Sequence, residues 1–292
     1  MSVEQLVDSG FVRSASTPYD IPFATRGEVI SDVFWRGREP IYGVSVYRFS
    51  RDEARLVVRG DLAYPQDLQA CLARAEASAA ALGCSRLVTQ EKLRSDWLDA
   101  ESVCRADGFA QLDTSLVFEC PFDLLAERSK RVVNALERRN AIPATASVTS
   151  LMEGHDQARA MLDEASIMDD FDFDSRLAAG STKPLSAEYS QLVWLGEMLV
   201  GIILVAPTPV DAVYEIPIRF IASSHRQTWV NTLLIHSCVQ YGEAYAARAI
   251  RFNANPETHQ ETISLARSIH GRHVATSHRY GKTLPSTGQS AS

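Results

Sequence analysis

An apolar strand-like run, Ala212–Ala222, leads into Ser223, Ser224, His225, Arg226, Gln227, Thr228, Trp229, Val230 and Asn231, and a helical pattern follows. This junction carries chemistry because the first backbone N–H groups of a helix have no partner within it. A phosphorylated ligand can be held there by the main chain alone. Glu215 stands mid-strand in Val213-Tyr214-Glu215-Ile216-Pro217-Ile218, a carboxylate among apolar residues and so a candidate proton acceptor. Asp169, Asp170, Asp172 and Asp174 cluster in Met168–Asp174 and would attract a cationic substrate. They do not form a calcium loop, because counting from Asp170 the sixth position is not glycine and the twelfth is Ser181. His270, His273 and His278 have no metal-ligand spacing with His225 or His259, so no metal is expected. Arg128, Lys130, Arg131, Arg138 and Arg139 give one helix a basic face.

Elements must position these residues, and the chain is long enough for two sets of them. Its 292 residues suit two domains of about 140 each. A hydrophobic content of 46% with 22% charged residues fits a globular protein, and a net charge of -7 excludes a globally basic surface built for a polyanion. Cys71, Cys84, Cys104, Cys120 and Cys238 form no C-x-x-C pair and read as reduced thiols of a cytoplasmic protein. The first residues lack the basic and apolar regions of a signal peptide. The longest apolar run, Met198–Pro207, is about half the roughly twenty residues that span a bilayer, so no membrane association is expected.

Residues 1–40 are weakly periodic and read as irregular or edge structure. Ile41–Phe49 and Ala54–Arg59 alternate as strands, Leu68–Leu82 is an Ala-rich helix, and Gly83 suits its C-terminal cap. Ser85–Thr89 is a short strand, Ser95–Ala106 a helix capped by Ser95, and Gln111–Glu119 a strand. Phe122–Asn140 is a charged helix, followed by the linker-like Ala141–Ala144. Then come a strand at Ser147–Met152, a helix at His155–Ile167 and a loop or broken helix at Met168–Lys183. Tyr189–Leu195, Met198–Ala206 and Ala212–Ala222 form a meander. A helix of about two dozen residues, a strand at Ala249–Asn253, a second helix and a closing strand complete the chain. Both halves share the order strand, helix, short strand, helix, strand, a structural repeat at a spacing of about 160 residues.

This order and spacing resemble the Gcn5-related N-acetyltransferase (GNAT) superfamily. The resemblance is strongest over 146–284, with a degenerate second copy over 1–121, a linker helix at 122–145 and a disordered tail at 285–292. The fold class expected is mixed α/β, with two GNAT-like domains in tandem. In that family the loop after the fourth strand reads Arg/Gln-x-x-Gly-x-Gly/Ala, and its amides hold the pyrophosphate of acetyl-CoA. Arg226 matches the first position, whereas Trp229 and Asn231 replace the two small residues. Arg251-Phe252-Asn253-Ala254-Asn255 resembles the exit of the fifth strand, where asparagine commonly opens the fourth helix. The family's tyrosine acid would fall at Thr262, so Tyr280 and His259 are the remaining candidates.

The resemblance implies an N-acyltransferase moving an acyl group, acetyl by default, from acetyl-CoA or another acyl-CoA to a primary amine of a small molecule. Arg226, Gln227, Thr228, Trp229, Val230, Asn231 and Asn255 would hold the donor, and Glu215 would take the proton. Asp169, Asp170, Asp172 and Asp174 would recruit the amine. Two alternatives keep the fold. One uses a donor bound to an acyl-carrier protein or to tRNA as aminoacyl-tRNA, favoured by Trp229 and the basic helix. The other is a non-catalytic tandem binding protein.

Overall fold

The computed structural model describes residues 11–13, 29–36, 39–60, 64–90, 92–94, 99–165, 173–177, 184–226, 228–244 and 246–285. Two compact units emerge, Met1–Ser115 with Ala275–Ser292 (unit 1) and Leu116–Val274 (unit 2).

Unit 1 begins with β1 (Phe11–Arg13), β2 (Val29–Arg36), β3 (Glu39–Arg48) and β4 (Glu53–Gly60), each antiparallel to the next. β1 and β2 stand at one end of the strand order, the edge structure that residues before 40 allowed, and β2 is a regular strand of eight residues. Its apolar alternation is masked in sequence by Asp32, which is buried because Arg74 grips both of its oxygens, at 2.7 and 2.8 Å. Helix α1 (Pro65–Ala81) returns the chain to β5 (Arg86–Thr89), which lies parallel to β4. Leu68, Cys71, Leu72, Ala75 and Ala79 recur at helical spacing and are fully buried. Gly83 follows with φ of +70°, the left-handed conformation that ends the helix as expected. After β6 (Leu93–Arg94), helix α2 (Ala100–Ala106) starts later than the sequence suggested, and Ser95 lies outside the described residues. Strand β7 (Ala110–Pro121) ends this half of the sequence. Beyond β5 the sheet of unit 1 takes a strand from the end of the chain, with Gly281, Lys282 and Thr283 pairing antiparallel to Val88, Leu87 and Arg86.

Unit 2 contains α3 (Phe122–Arg138), β8 (Ala146–Ser150), α4 (His155–Glu164), α5 (Phe173–Leu177), β9 (Gln191–Leu195), β10 (Met198–Pro207) and β11 (Val213–Ile221). Then follow α6 (Trp229–Ala244), β12 (Ala249–Ala254), α7 (Gln260–Ser268) and the first residues of β13 (Arg272–Thr283), whose remainder from Ala275 belongs to unit 1. The strand order is β7, β12, β11, β10, β9, β8, where Leu116–Pro121 of β7 pairs antiparallel with β12. Each unit thus completes its sheet with a strand from the other half of the sequence. One core of unit 2 packs α3, α6 and α7 on one sheet face, around Leu125, Val230, Leu234 and Ile263. A second core packs α4 and α5 on the other, around Leu162, Phe173 and Ile202.

Two segments differ from expectation. Helix α3, expected as a linker, packs onto α6 so closely that a Cβ at Gly242 would lie 2.3 Å from the Phe122 ring. Helix α6 ends at Ala244, short of two dozen residues. Ala246 adopts φ of +53°, and the Ala247 N–H returns to the Gly242 carbonyl at 2.9 Å, which closes the helix end.

Candidate functional site

The site begins with a defect in β11. Its register with β10 shifts between Leu204 and Ala206, so Ile216 and Pro217 together oppose Val205. This is a β-bulge, which bends the strand and changes which side chains share a face. Tyr214, Ile216 and Ile221 pack toward α6 and α7, while Ile218 and Phe220 join the core under α4. Parallel pairing with β12 runs from Val213↔Ala249 to Ile216↔Phe252 and stops there. The next residue is Pro217, which has no N–H to donate. Beyond Ile216 pairing between the two strands ends.

Arg219 projects from β11 past this point. Its Nη1 donates to Asn231 Oδ1 on α6 at 3.0 Å, and its Nη2 donates to Thr262 Oγ1 on α7 at 2.8 Å. Burial pulls its pKa below the usual guanidinium range, partly offset by the Glu261 carboxylate. Arg219 thus ties together Asn231 and Thr262, two of the three positions, with Trp229, that differ from the pattern expected above. Its only sequence signal was an arginine inside the apolar run Ile216–Ile221.

Between β11 and α6 lies a single 3₁₀ turn, Ser223–His225. Arg226 follows it and is exposed, and Gln227 lies outside the described residues. Thr228 caps the helix with a neutral group. Its Oγ1 donates to the His225 carbonyl at 2.6 Å and stands 3.4 Å from the Val230 N–H. Trp229 is half-buried against the α6-side core, and Val230 is fully buried. A Cβ at Gly201 of β10 would lie 2.6 Å from the Val230 side chain, so this glycine lets the start of α6 sit tight on the sheet.

Glu215 is on the opposite face of β11. Asn253 Nδ2 donates to its Oε1 at 3.2 Å. Asn255 shapes the exit of β12, its Oδ1 accepting the N–H groups of Glu257 at 2.7 Å and Thr258 at 3.1 Å. His259 caps α7, and its Nδ1 accepts the Asn255 N–H at 3.2 Å. Nearby on the sheet, Glu119 binds Arg251 at 2.8 Å and Arg272 at 3.1 Å, and these hydrogen bonds and charges hold its carboxyl below the usual carboxylate range.

The remaining predicted residues are placed elsewhere. Tyr280 is 0% exposed in the core of unit 1, its hydroxyl has no partner, and burial pushes its pKa up to about 12. Asp174 of α5 pairs with Arg159 at 2.9 Å, while Asp169, Asp170 and Asp172 lie outside the described residues. All five cysteines are free and buried, and burial pushes Cys104, Cys120 and Cys238 up to about 12, which removes them as nucleophiles near neutral pH. No group of His, Cys, Asp and Glu that could hold a metal ion occurs among the described residues, and none of their helices is long and apolar enough to cross a membrane.

A cleft of about 140 Å³ opens among α3, α6 and α7. Arg128, Ser129, Arg219, Asn231, Thr232 and Glu261 supply its polar wall. Ser129 is itself buried; its Oγ donates to the Ala126 carbonyl at 2.9 Å and lies 3.2 Å from His236 Nδ1.

No family model and no curated protein matches this chain. Solved structures do match. A tandem GNAT protein from the clavulanic acid biosynthesis pathway superposes with a TM-score of 0.61 at 13% identity, over 89% of this chain and 84% of that one. The fold is that of the GCN5-related N-acetyltransferases. A GCN5-related N-acetyltransferase from Sphaerobacter thermophilus matches with a TM-score of 0.54 at 13% identity, over 91% of this chain and 84% of that one. A conserved protein from Enterococcus faecalis, described as a probable N-acyltransferase, matches with a TM-score of 0.55 at 10% identity, over 88% of this chain and 62% of that one. At these identities the likeness establishes the GNAT fold, and the chemistry must be argued from the residues.

Proposed function

We propose that unit 2 is an N-acyltransferase that moves an acyl group, acetyl by default, from acetyl-CoA or another acyl-CoA to a primary amine of a small molecule. The observation that carries this reading is the end of pairing between β11 and β12 after Ile216↔Phe252, which would let a ligand enter between them. β11 leads on to the N-terminus of α6, whose cap is the neutral hydroxyl of Thr228. A thioester arm entering there meets backbone groups released from the ladder. Its phosphates lie toward Arg226 and the first turn of α6.

The reaction asks little of side chains. The amine nitrogen attacks the thioester carbonyl, the C–N bond forms, the C–S bond breaks, and the thiolate leaves and takes a proton. Glu215 accepts the proton that the ammonium must lose before attack. Asn253 occupies Oε1 of Glu215, leaving Oε2 for the amine. His259 and Asn255 support the turn that presents Asn253, and the acidic segment containing Asp174 draws the cationic acceptor inward. A carrier-bound donor is the second reading, favoured by Arg128, which lines the cleft from the basic helix α3.

The test is thiol release from acetyl-CoA in the presence of a panel of primary amines. Glu215→Gln should lower kcat by about 10²- to 10⁴-fold, the usual worth of a general base, with donor affinity unchanged. Arg226→Ala should weaken donor binding without unfolding the protein. Absence of both turnover and thermal stabilisation with acetyl-CoA would remove the CoA reading.

A further inference from the structure

The sheet face that carries Glu215 holds a row of charges. Glu215 of β11 stands opposite Arg251 of β12, and Arg251 stands opposite Glu119 of β7. Residues in register on neighbouring strands share a face, so the three side chains lie on one side of the sheet. Ile216, Phe252 and Phe118, one residue away on each strand, fill the core on the other side. Arg272 of β13 joins the row by bonding Glu119, and all four residues belong to unit 2. The charges along this row are unevenly matched. Glu119 accepts from Arg251 Nε at 2.9 Å on one oxygen and from Arg272 Nη2 at 3.1 Å on the other. One carboxylate thus holds two guanidiniums, which leaves one positive charge over. The Arg272 side chain is 74% exposed, against 28% for Arg251 and 15% for Glu119, so the surplus faces solvent at Arg272. At the other end of the row, Glu215 accepts from the neutral amide of Asn253, which leaves its negative charge uncancelled by that bond. Acid and surplus cation are one to two strand spacings apart, about 5–10 Å. Val117, half-buried and opposite Asn253 on the same face, borders the row with apolar surface.

We propose that this row is a zwitterion site and that the acceptor is an amino acid, its ammonium held at Glu215 and its carboxylate at Arg272 and Arg251. The inference rests on the transferase reading and adds the class of acceptor to it. A plain amine satisfies Glu215 and leaves the surplus guanidinium to water, whereas an amino acid satisfies both ends. The separation suits amino acids whose two charged groups are several bonds apart better than it suits glycine. Arg272 determines specificity, because it is the exposed cation with N–H donors to spare. Glu119 is a positioning residue that holds both guanidiniums toward one place.

The test compares acetyl transfer by the full-length protein to γ-aminobutyrate and ε-aminocaproate with transfer to n-propylamine and n-pentylamine, which lack only the carboxylate. In the wild type kcat/KM is expected to favour the amino acids by about fivefold, the upper worth of an exposed ion pair. The preference should shrink as salt is raised. Arg272→Gln is expected to abolish it by raising KM for the amino acids, with kcat little moved. Arg272 is largely exposed, so the variant should fold, and its thermal midpoint checks this. Transfer that is equally efficient to amino acids and alkylamines, or a preference that survives Arg272→Gln, overturns the proposal and leaves the transferase reading standing. Calorimetric titration of ε-aminocaproate covers a protein that transfers to no amine. Binding that Arg272→Gln weakens then supports the zwitterion site and removes the transferase reading. Absence of both binding and transfer overturns the two together.

Discussion

The two strand-to-helix junctions of the molecule use the same plan with opposite electrostatics. In unit 1, β4 pairs with β3 through seven residues without a register shift, and α1 follows from Pro65. Its first turn contains Asp67, only 8% exposed, whose carboxylate accepts the Tyr64 N–H at 3.2 Å. Arg55, the buried arginine of β4, pairs with Glu53 at 2.6 Å. In unit 2 the corresponding strand carries a bulge, and no acid stands in the first turn of α6. The cap is a hydroxyl, and the half-buried Arg219 bonds neutral oxygens. Unit 1 places an acid beside its helix start and its guanidinium, whereas in unit 2 the hydrogen bonds at both go to neutral oxygens. The same topology thus carries different electrostatics in the two places because of a few polar residues.

The largest test of this contrast transplants the acid. Thr228→Asp gives α6 the kind of carboxylate that α1 already has. A carboxylate favours a helix N-terminus by about 0.3–1 kcal/mol, so thermal stability should hold or rise slightly. Acetyl-CoA affinity should fall about tenfold or more, since each 1.4 kcal/mol of repulsion is a factor of ten. The reciprocal change, Asp67→Asn, should cost unit 1 stability and leave acyl transfer unchanged. Equal donor affinity in Thr228→Asp and wild type would break the comparison.

A smaller effect concerns pH. His236 of α6 meets Ser129 of α3, and burial lowers its pKa below the ordinary 6.5, against the pull of Glu137 and Glu243 and with a small push from Lys130. As pH falls through 6.5 the unfolded chain binds this proton first. The contribution is therefore full above 6.5 and is lost as pH falls toward the lower folded-state value. Denaturant midpoints between pH 7 and pH 5 should decline, and His236→Gln should flatten that decline. An unchanged slope in the variant would remove His236 as its source.

The overall plan was legible in sequence because period and punctuation agree with tertiary packing. Leu68–Leu82 is Ala-rich and ends at Gly83, and the observed helix sits there within a few residues. Strand β2 was not legible, since a buried Asp32 looks polar until Arg74, far along the chain, is brought to it. The exchange of closing strands was equally hidden, because nothing local marks which sheet an edge will join. Motif matching names Glu215, Arg226 and Asn255 as candidates and does not reach Arg219. A cation in an apolar strand gains meaning only when Asn231 and Thr262 converge on it.

The smallest expected effect is also the sharpest check on unit 1. Tyr280 combines a ring in the core with a hydroxyl that is buried and unpartnered. Its pKa near 12 means that it stays protonated throughout the working range, and its burial keeps it from any ligand in solution. A buried hydroxyl without a hydrogen bond costs about 1–3 kcal/mol relative to one that is satisfied. Tyr280→Phe removes that hydroxyl and preserves the ring, so the variant should equal or exceed the wild type in stability by up to about 1 kcal/mol. Acyl transfer should not change. A tenfold loss of kcat in a variant of undiminished stability would instead make the phenol a working acid, and unit 1 could no longer be regarded as purely structural.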